Sequence, residues 1–509
     1  MSPRMNRMDI RRFTLALLPL ALTACAVTSP PASVQVAAPD SWQAAADQPK
    51  PPSTDLTAPH GGSAAQLKAW WQQWNDPLLI ELLDRAQQAS PSVAAAATRV
   101  AQARQAVVVA GAAGSPSLNA SAGVSRGVSM LNTPPATSAS VGLQAAWELD
   151  LFGGQRAAST AADQRLQAAG AQWHEARVAV AAELARQYTG WRACQLALRI
   201  TQDDAQARTT IAKLTDDRAR AGFDAPANAS LMQASAAQGR MNTVQQQARC
   251  DAALKGLVSL TGVDEATLRV QLMGKLDVAN KSTQKSDKGI FGHENQPLPV
   301  LPPNALPVAL PAQLLAQRPD VFAAQRAVAA ASADVGTAEA DRYPRLGLSG
   351  NIMAIGTRGV GGDGNTWSVG PLQLSLPLFD AGRRAGQVKV QQAAYDEAVV
   401  AYRASVRTAV REVEQALVEL NSTAARQADA AVATQGFVRA LQAAIDRHRA
   451  GLGSLLELED TRRSALAAEL ALAELSRDRL LAWVDLYRAL GGSWSTAEAT
   501  PTPLAALPR

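Results

Sequence analysis

The sequence predicts a mainly α-helical chain that carries a small membrane β-sheet and is built twice over. Three observations support this: an internal repeat, four segments of alternating polarity, and two very long helical stretches. Pro116-Ser117-Leu118 recurs at Pro344-Arg345-Leu346, and Leu149-Asp150-Leu151-Phe152-Gly153 recurs at Leu376-Pro377-Leu378-Phe379-Asp380. Arg220-Ala221-Gly222-Phe223 recurs at Arg449-Ala450-Gly451-Leu452, and all three separations fall between 227 and 229 residues. A two-copy chain is expected to set equivalent elements around a pseudo-symmetry axis, a geometry that suits a tube. Aromatic residues make up only 4% of the 509. Alanine is abundant, which favours long, closely packed helices over thick globular cores.

Arg4, Arg7, Arg11 and Arg12 precede an apolar run from Phe13 to Ala24 that is too short for the roughly 20 residues a helix needs to span a bilayer. The run reads as a signal peptide covering residues 1–24. Its end, Leu22-Thr23-Ala24-Cys25, resembles a bacterial lipobox, so the mature chain is expected to begin at a lipidated Cys25. Several acyl chains anchor a protein stably where one does not. Ala26 stands where lipoproteins held at the inner membrane usually carry Asp, so this resemblance points to the outer membrane of a Gram-negative bacterium. Residues 25–62 are rich in Pro, Ala, Ser and Gln without periodicity and read as a tether.

The first repeat is expected over residues 63–270, a proline-rich linker over 271–311, the second repeat over 312–490 and a loose tail over 491–509. After Trp74-Asn75-Asp76-Pro77 a helical run extends to about Ala112. Two strands follow, one alternating Leu118, Ala120, Ala122 and Val124 with Asn119, Ser121, Gly123 and Ser125, the other carrying Val141, Leu143, Ala145, Trp147 and Leu149. The second copy has Leu346, Leu348, Gly350 and Ile352, then Leu372, Leu374, Leu376 and Leu378. An apolar face backed by a small or polar one suits a transmembrane barrel strand, and the lipobox supplies the membrane. A soluble sheet lying on a core would alternate in the same way.

Each strand pair is followed by a long helix, roughly 95 Å from Arg156 to Ala219 and roughly 100 Å from Arg383 to Arg449. In the second, Val399, Tyr402, Val406, Ala409, Val413, Ala416 and Leu420 step by three and four, the period of a left-handed coiled coil. Glycine then stops each helix, in Arg220-Ala221-Gly222-Phe223-Asp224 and in Arg449-Ala450-Gly451-Leu452-Gly453-Ser454, with Asp or Ser poised to cap the return helix. Arg220, Gly222, Arg449, Gly451 and Ser454 therefore mark the far tips of two hairpins and are candidate docking points. Cys194 and Cys250 lie equally far on either side of Gly222, so a fold-back there sets them at one height. In an oxidising periplasm a disulfide is expected. Two buried thiols remain the alternative, because equal height does not make them face each other.

Four strands cannot close on themselves in lipid, because an open edge leaves amides unpaired at several kcal/mol each. A homotrimer solves this with a 12-stranded barrel, four strands per protomer, whereas a dimer leaves little lumen. The segments Trp74-Asn75-Asp76-Pro77, Trp147-Glu148-Leu149-Asp150-Leu151-Phe152-Gly153, Arg318-Pro319-Asp320, Pro377-Leu378-Phe379-Asp380-Ala381-Gly382-Arg383, Glu412-Val413-Glu414 and Leu486-Tyr487-Arg488-Ala489-Leu490-Gly491-Gly492 come in order between about Leu67 and Trp494. Together they resemble the TolC-like outer-membrane efflux channels, specifically the lipidated NodT-type branch. The resemblance implies a trimeric β-barrel continued by a long α-helical coiled-coil barrel, and a passive duct fed by an inner-membrane RND-type pump through a periplasmic adaptor, or membrane fusion, protein. In similar channels a leucine and an aspartate one helical turn apart, just past the second hairpin turn, shut the periplasmic end. Here those positions are Leu456 and Asp460, with Arg447, His448 and Arg449 before the turn. The first copy carries Leu231, Met232 and Gln233 and no matching acid.

Other function classes fit poorly. His60, His174, His293 and His448 are scattered, no pair has metal-ligand spacing and no nucleophile motif appears, so neither an enzyme nor a cofactor is expected. The formal charge of +5 falls to +2 once the signal leaves, and no basic stripe with interleaved aromatics marks a nucleic-acid surface. A lipidated periplasmic adaptor would carry one hairpin within soluble β domains, and a structural coiled-coil lipoprotein would not need the amphipathic strands. The transported substrate is not legible.

Overall fold

The computed structural model describes residues 28–36, 42–45, 70–72, 74–129, 132–282, 318–358 and 364–492. The signal peptide, Cys25, most of the expected tether and linker, and nearly all of the tail lie outside them. In chain order the elements are α1 (Pro77–Ala89), α2 (Pro91–Ala112), β1 (Ser117–Ser129), β2 (Asn132–Leu149), α3 (Gly154–Arg220), α4 (Pro226–Thr261), α5 (Glu265–Ser282), α6 (Pro319–Ala340), β3 (Arg345–Arg358), β4 (Gly364–Ser375), α7 (Arg383–Arg449) and α8 (Leu455–Ala489). The run expected up to Ala112 is two helices. Pro91 drives Ser90 to ψ 118° and ends α1 there, because a proline ring disfavours helical geometry in the residue before it. The stretch expected as linker from 271 is still helical through Ser282. Among the described residues no helix is long and apolar enough to cross a membrane.

The chain divides into two compact units. The first comprises Met1–Val36, Ala97–Ala171 and Phe322–Ser405 and holds the sheet. Its four antiparallel strands lie in the order β1-β2-β3-β4, so the two repeats meet at the β2–β3 ladder while β1 and β4 form the edges. The register sets Ala120, Leu143, Ile352 and Trp367 in one row and Trp147, Leu348 and Leu372 in another. Because directly opposed residues share a face, the alternating apolar residues of the four strands lie on one side; β4 starts earlier than expected and ends at Ser375, so Leu376 and Leu378, expected in it, lie past its end. Asn119, Gln144 and Asn351 form a row on the other. The apolar side is left uncovered: Leu118, Val141, Ile352, Trp367, Leu372 and Leu374 are all exposed. The same unit holds the first described residues, where Ser332 Oγ donates to the Pro30 carbonyl at 2.6 Å and Tyr395 Oη to that of Pro31 at 2.9 Å. That part of the expected tether lies against α6 and α7.

The second unit comprises Ala37–Ala96, Gln172–Val321 and Val406–Arg509. Here Val406, Ala409, Val413, Ala416 and Leu420 of α7 are buried, so the 3.5-residue seam read from the sequence is a packed face. Several short motifs converge in this unit. Arg318, buried, donates to both oxygens of Asp320, to Glu412 at 2.8 Å and to the Ala489 carbonyl at 2.6 Å, closing off the C-terminal end of α8. Gly491 and Gly492 follow with φ of +77° and +60°. A Cβ on Gly492 would come within 2.4 Å of Val178, so glycine is required there for space as well as for conformation. Asp76 caps α1 through the amides of Leu78 and Leu79, and also accepts from Tyr188 at 2.5 Å and Arg192 at 3.1 Å. Trp70, Trp71 and Trp74 pack their rings on Trp483 and Tyr487 of α8 at 4.4–5.9 Å between centroids.

Candidate functional site

The candidate site is the pair of turns in the second unit and the helical turns behind them. Both turns end a helix in the same way. Phe223 N–H bonds the Arg218 carbonyl at 2.8 Å and Gly222 N–H that of Ala219 at 3.1 Å; Leu452 and Gly451 repeat this with Arg447 and His448 at 2.8 and 3.0 Å. These are Schellman closures, and the left-handed residue each needs is Gly222 (φ +80°) or Gly451 (φ +76°). The return helices start differently. Ser454 caps α8 by accepting from the Glu457 amide at 3.1 Å, whereas Asp224 does not cap α4: Ala225 holds that position, and Asp224 bonds Ala225 N–H and Asn228. Phe223 and Leu452 stand 79% and 76% exposed at equivalent places.

Charges at the tips are satisfied locally. Arg447 pairs with Glu457 at 2.7 Å across its own turn, Arg449 with Asp446 at 3.7 Å, and Arg220 with Asp216 and Asp217. His448 Nδ1 lies 3.3 Å from the Gly453 carbonyl. Asp460 is bound to Arg463 at 3.0 Å, not to the arginines before the turn. Leu456 and Asp460 lie one turn apart on one face of α8, both exposed. Cys194 and Cys250 are joined, with Sγ atoms 2.03 Å and Cα atoms 5.5 Å apart, which ties α3 to α4 across 56 residues.

Behind the exposed face lies a cluster that sequence reading missed. Ala212, Met232, Ala236, Leu441, Ala444, Leu455, Leu458 and Ala465 pack together, drawing on both hairpins. Beside them Arg208 of α3 binds Asp204 at 2.7 Å, Ser235 of α4 at 2.7 Å and Glu459 of α8 at 3.2 Å; Ser235 also donates to Glu459 at 2.8 Å. Arg462, 3% exposed, lies 3.6 Å from the same carboxylate. Burial holds the Arg462 guanidinium below the usual arginine range, against the pull of Glu459 and Asp204. Burial, helped by Asp203 and Asp204, raises Glu469 above the usual carboxylate range. One signal was available in the sequence: in the series Leu455, Leu458, Arg462, Ala465, the arginine occupies a seam position where the period calls for an apolar residue. Among the described residues no cluster of His, Cys, Asp and Glu could hold a metal ion.

A sequence profile described as "Outer membrane efflux protein" matches residues 82–263 and 310–492, one segment in each repeat and together more than half of the chain. The chain belongs to the outer membrane efflux protein family. Outer membrane protein OprJ of Pseudomonas aeruginosa is 30% identical over 498 residues, covering 95% of this chain and 96% of that protein. Nodulation protein T of Rhizobium leguminosarum bv. viciae is 28% identical over 477 residues, 92% of each. Among solved structures, that of the outer-membrane channel OprN superposes with a TM-score of 0.74 at 28% identity, covering 91% of this chain and 99% of that one. Of these, OprN is an outer-membrane channel. The four strands and two helical hairpins are the share that one protomer of such an outer-membrane efflux channel contributes to its barrel and its helical tunnel.

Proposed function

We propose that three copies of this chain form the outer-membrane duct of a tripartite efflux assembly, fed by an inner-membrane RND-type pump through a periplasmic adaptor protein. The observation that carries this reading is the sheet, with one face apolar and uncovered and strands β1 and β4 open at its edges. In lipid those edges need partners, and joining β4 of one protomer to β1 of the next closes twelve strands. The membrane face also agrees with lipidation at Cys25. Ser29 lies against Gly336, four extended residues span up to about 14 Å, and α6 rises only about 6 Å from Gly336 to its end. An acylated Cys25 would therefore reach the membrane end of this unit.

The gate in this reading is the exposed face of α8. Threefold symmetry would gather three Leu456 side chains and three Asp460 carboxylates about the axis, where like charges repel or hold a cation between them. The Arg208–Ser235–Glu459 cluster ties α8 back to the first hairpin, and Arg447–Glu457 keeps the second turn closed. The tips at Arg220, Gly222, Arg449, Gly451 and Ser454, with Phe223 and Leu452 exposed beside them, would receive the adaptor.

The test is the conductance of purified mature protein in a planar bilayer. Wild type should give small cation-selective steps, and Asp460→Ala larger ones. Glu459→Ala leaves two buried arginines poorly compensated, which should cost the closed form about 3 kcal/mol and raise its open probability. A folded, lipidated protein that passes no current would sink the channel reading.

A further inference from the structure

We propose that Arg126 and Arg358 form a binding site for the phosphate groups of a phosphorylated glycolipid in the outer leaflet of the membrane. The β register pairs Arg126 with Thr137 and Thr137 with Arg358, so the two arginines share a row across β1, β2 and β3, on the same face as the alternating apolar residues. Their Cα atoms are two strand spacings apart, roughly 10 Å, close enough for two long side chains to converge on one headgroup. Both are exposed. Neither has a hydrogen bond or ion pair with any described residue. By contrast Arg345, at the other end of β3, is bound to Asp341 at 2.5 Å and lies 3.9 Å from Glu148.

The level of this row decides the ligand. On the same face the row of Leu149, Leu346 and Leu374 begins the apolar band next to the helices, and the row of Val124, Ala139 and Gly356 ends it. From Leu346 to Gly356 β3 rises about 33 Å along its axis, which at a tilt of about 40° spans about 25 Å of membrane, the height of the apolar band of an outer-membrane barrel. Arg126 and Arg358 occupy the next row. They therefore stand at the headgroup boundary farthest from the helices and face lipid, where a cation without a partner among the described residues is matched by an anion of the leaflet. Guanidinium groups suit this role because their fork of donors fits phosphate oxygens. Asp363, the one acid in the sequence of the loop joining β3 to β4, lies outside the described residues.

The proposal rests on the sheet being a lipid-facing barrel, so the experiment begins from trimers shown by conductance to insert in bilayers. Nanodiscs of phosphatidylcholine containing wild-type trimer are incubated with bisphosphorylated lipid A or with its dephosphorylated form carrying the same acyl chains, and the lipid retained per trimer is measured by native mass spectrometry. Wild type should retain the phosphorylated form about tenfold better, as expected for charge-assisted bonds from two arginines. Arg126→Gln with Arg358→Gln should abolish that preference while leaving conductance intact, and Arg126→Lys with Arg358→Lys should keep part of it. Equal retention of the two lipids by wild type overturns the proposal even if the glutamine variant does not fold. An undiminished preference in the folded glutamine variant does so as well.

Discussion

His174 shows what a packed helical interior does to an ionisable side chain. It is 3% exposed in the second unit; burial, with Arg177 nearby, lowers its pKa from 6.5 to about 4. The folded protein therefore holds it neutral, while the unfolded chain takes up a proton as pH falls below 6.5. Because stability rises with pH wherever the unfolded state binds more protons, His174 contributes fully above pH 6.5. Its contribution is lost between pH 6.5 and about 4, with a total of up to about 3 kcal/mol at 1.36 kcal/mol per pKa unit. Thermal melts across that window should flatten in His174→Gln relative to wild type, and an unchanged slope would show that His174 does not carry the acid sensitivity. Arg462 faces the same cost of burial, and it is offset by the Glu459 carboxylate beside it. Arg208 serves that pairing from a helix more than two hundred residues earlier in the chain.

At the scale of elements, α3 and α7 are both 67 residues long and both end on a Schellman glycine, yet they are stabilised differently. The first hairpin carries the Cys194–Cys250 bond, and the second has no cysteine. Closing a loop of 56 residues restricts the unfolded chain and should stabilise by about 4 kcal/mol in the chain-entropy account. Treatment with reductant, or replacement of both cysteines by serine, should lower the melting temperature by the same amount, and reductant should have no further effect on the double variant. If reduction leaves the melt unchanged, the bond adds nothing to stability. The break at Ser90-Pro91 was missed in the sequence, although proline inside a helical run signals a boundary. The start of α4 was less legible, because Asp224 and Pro226 both look like helix openers and only the backbone decides which residue caps.

For the whole molecule, the edges β1 and β4 set the assembly. Detergent-solubilised protein should weigh three protomers by native mass spectrometry or light scattering, and a folded, conducting monomer would contradict edge closure. The compartment, the membrane strands and the helical seams were readable because each depends on local spacing: a basic and apolar leader, a period of two, a period of 3.5, a glycine at a stop; the duplication was readable because short matching segments recur in one order. The motifs Arg318-Pro319-Asp320, Glu412-Val413-Glu414 and Leu486 to Gly492 were also visible, but only as markers of resemblance.

By itself the sequence determined where the strand pairs and the long helices lie and which face of each is apolar, because periodicity is a property of neighbours along the chain. Only the tertiary structure decided that Arg318 binds Glu412 and the Ala489 carbonyl, that Glu459 rather than Asp460 meets Arg208, and that Arg126 and Arg358 fall in one row. Those pairings depend on the register in which distant helices and strands pack, and the sequence writes no local signal for register beyond the apolar face it must bury.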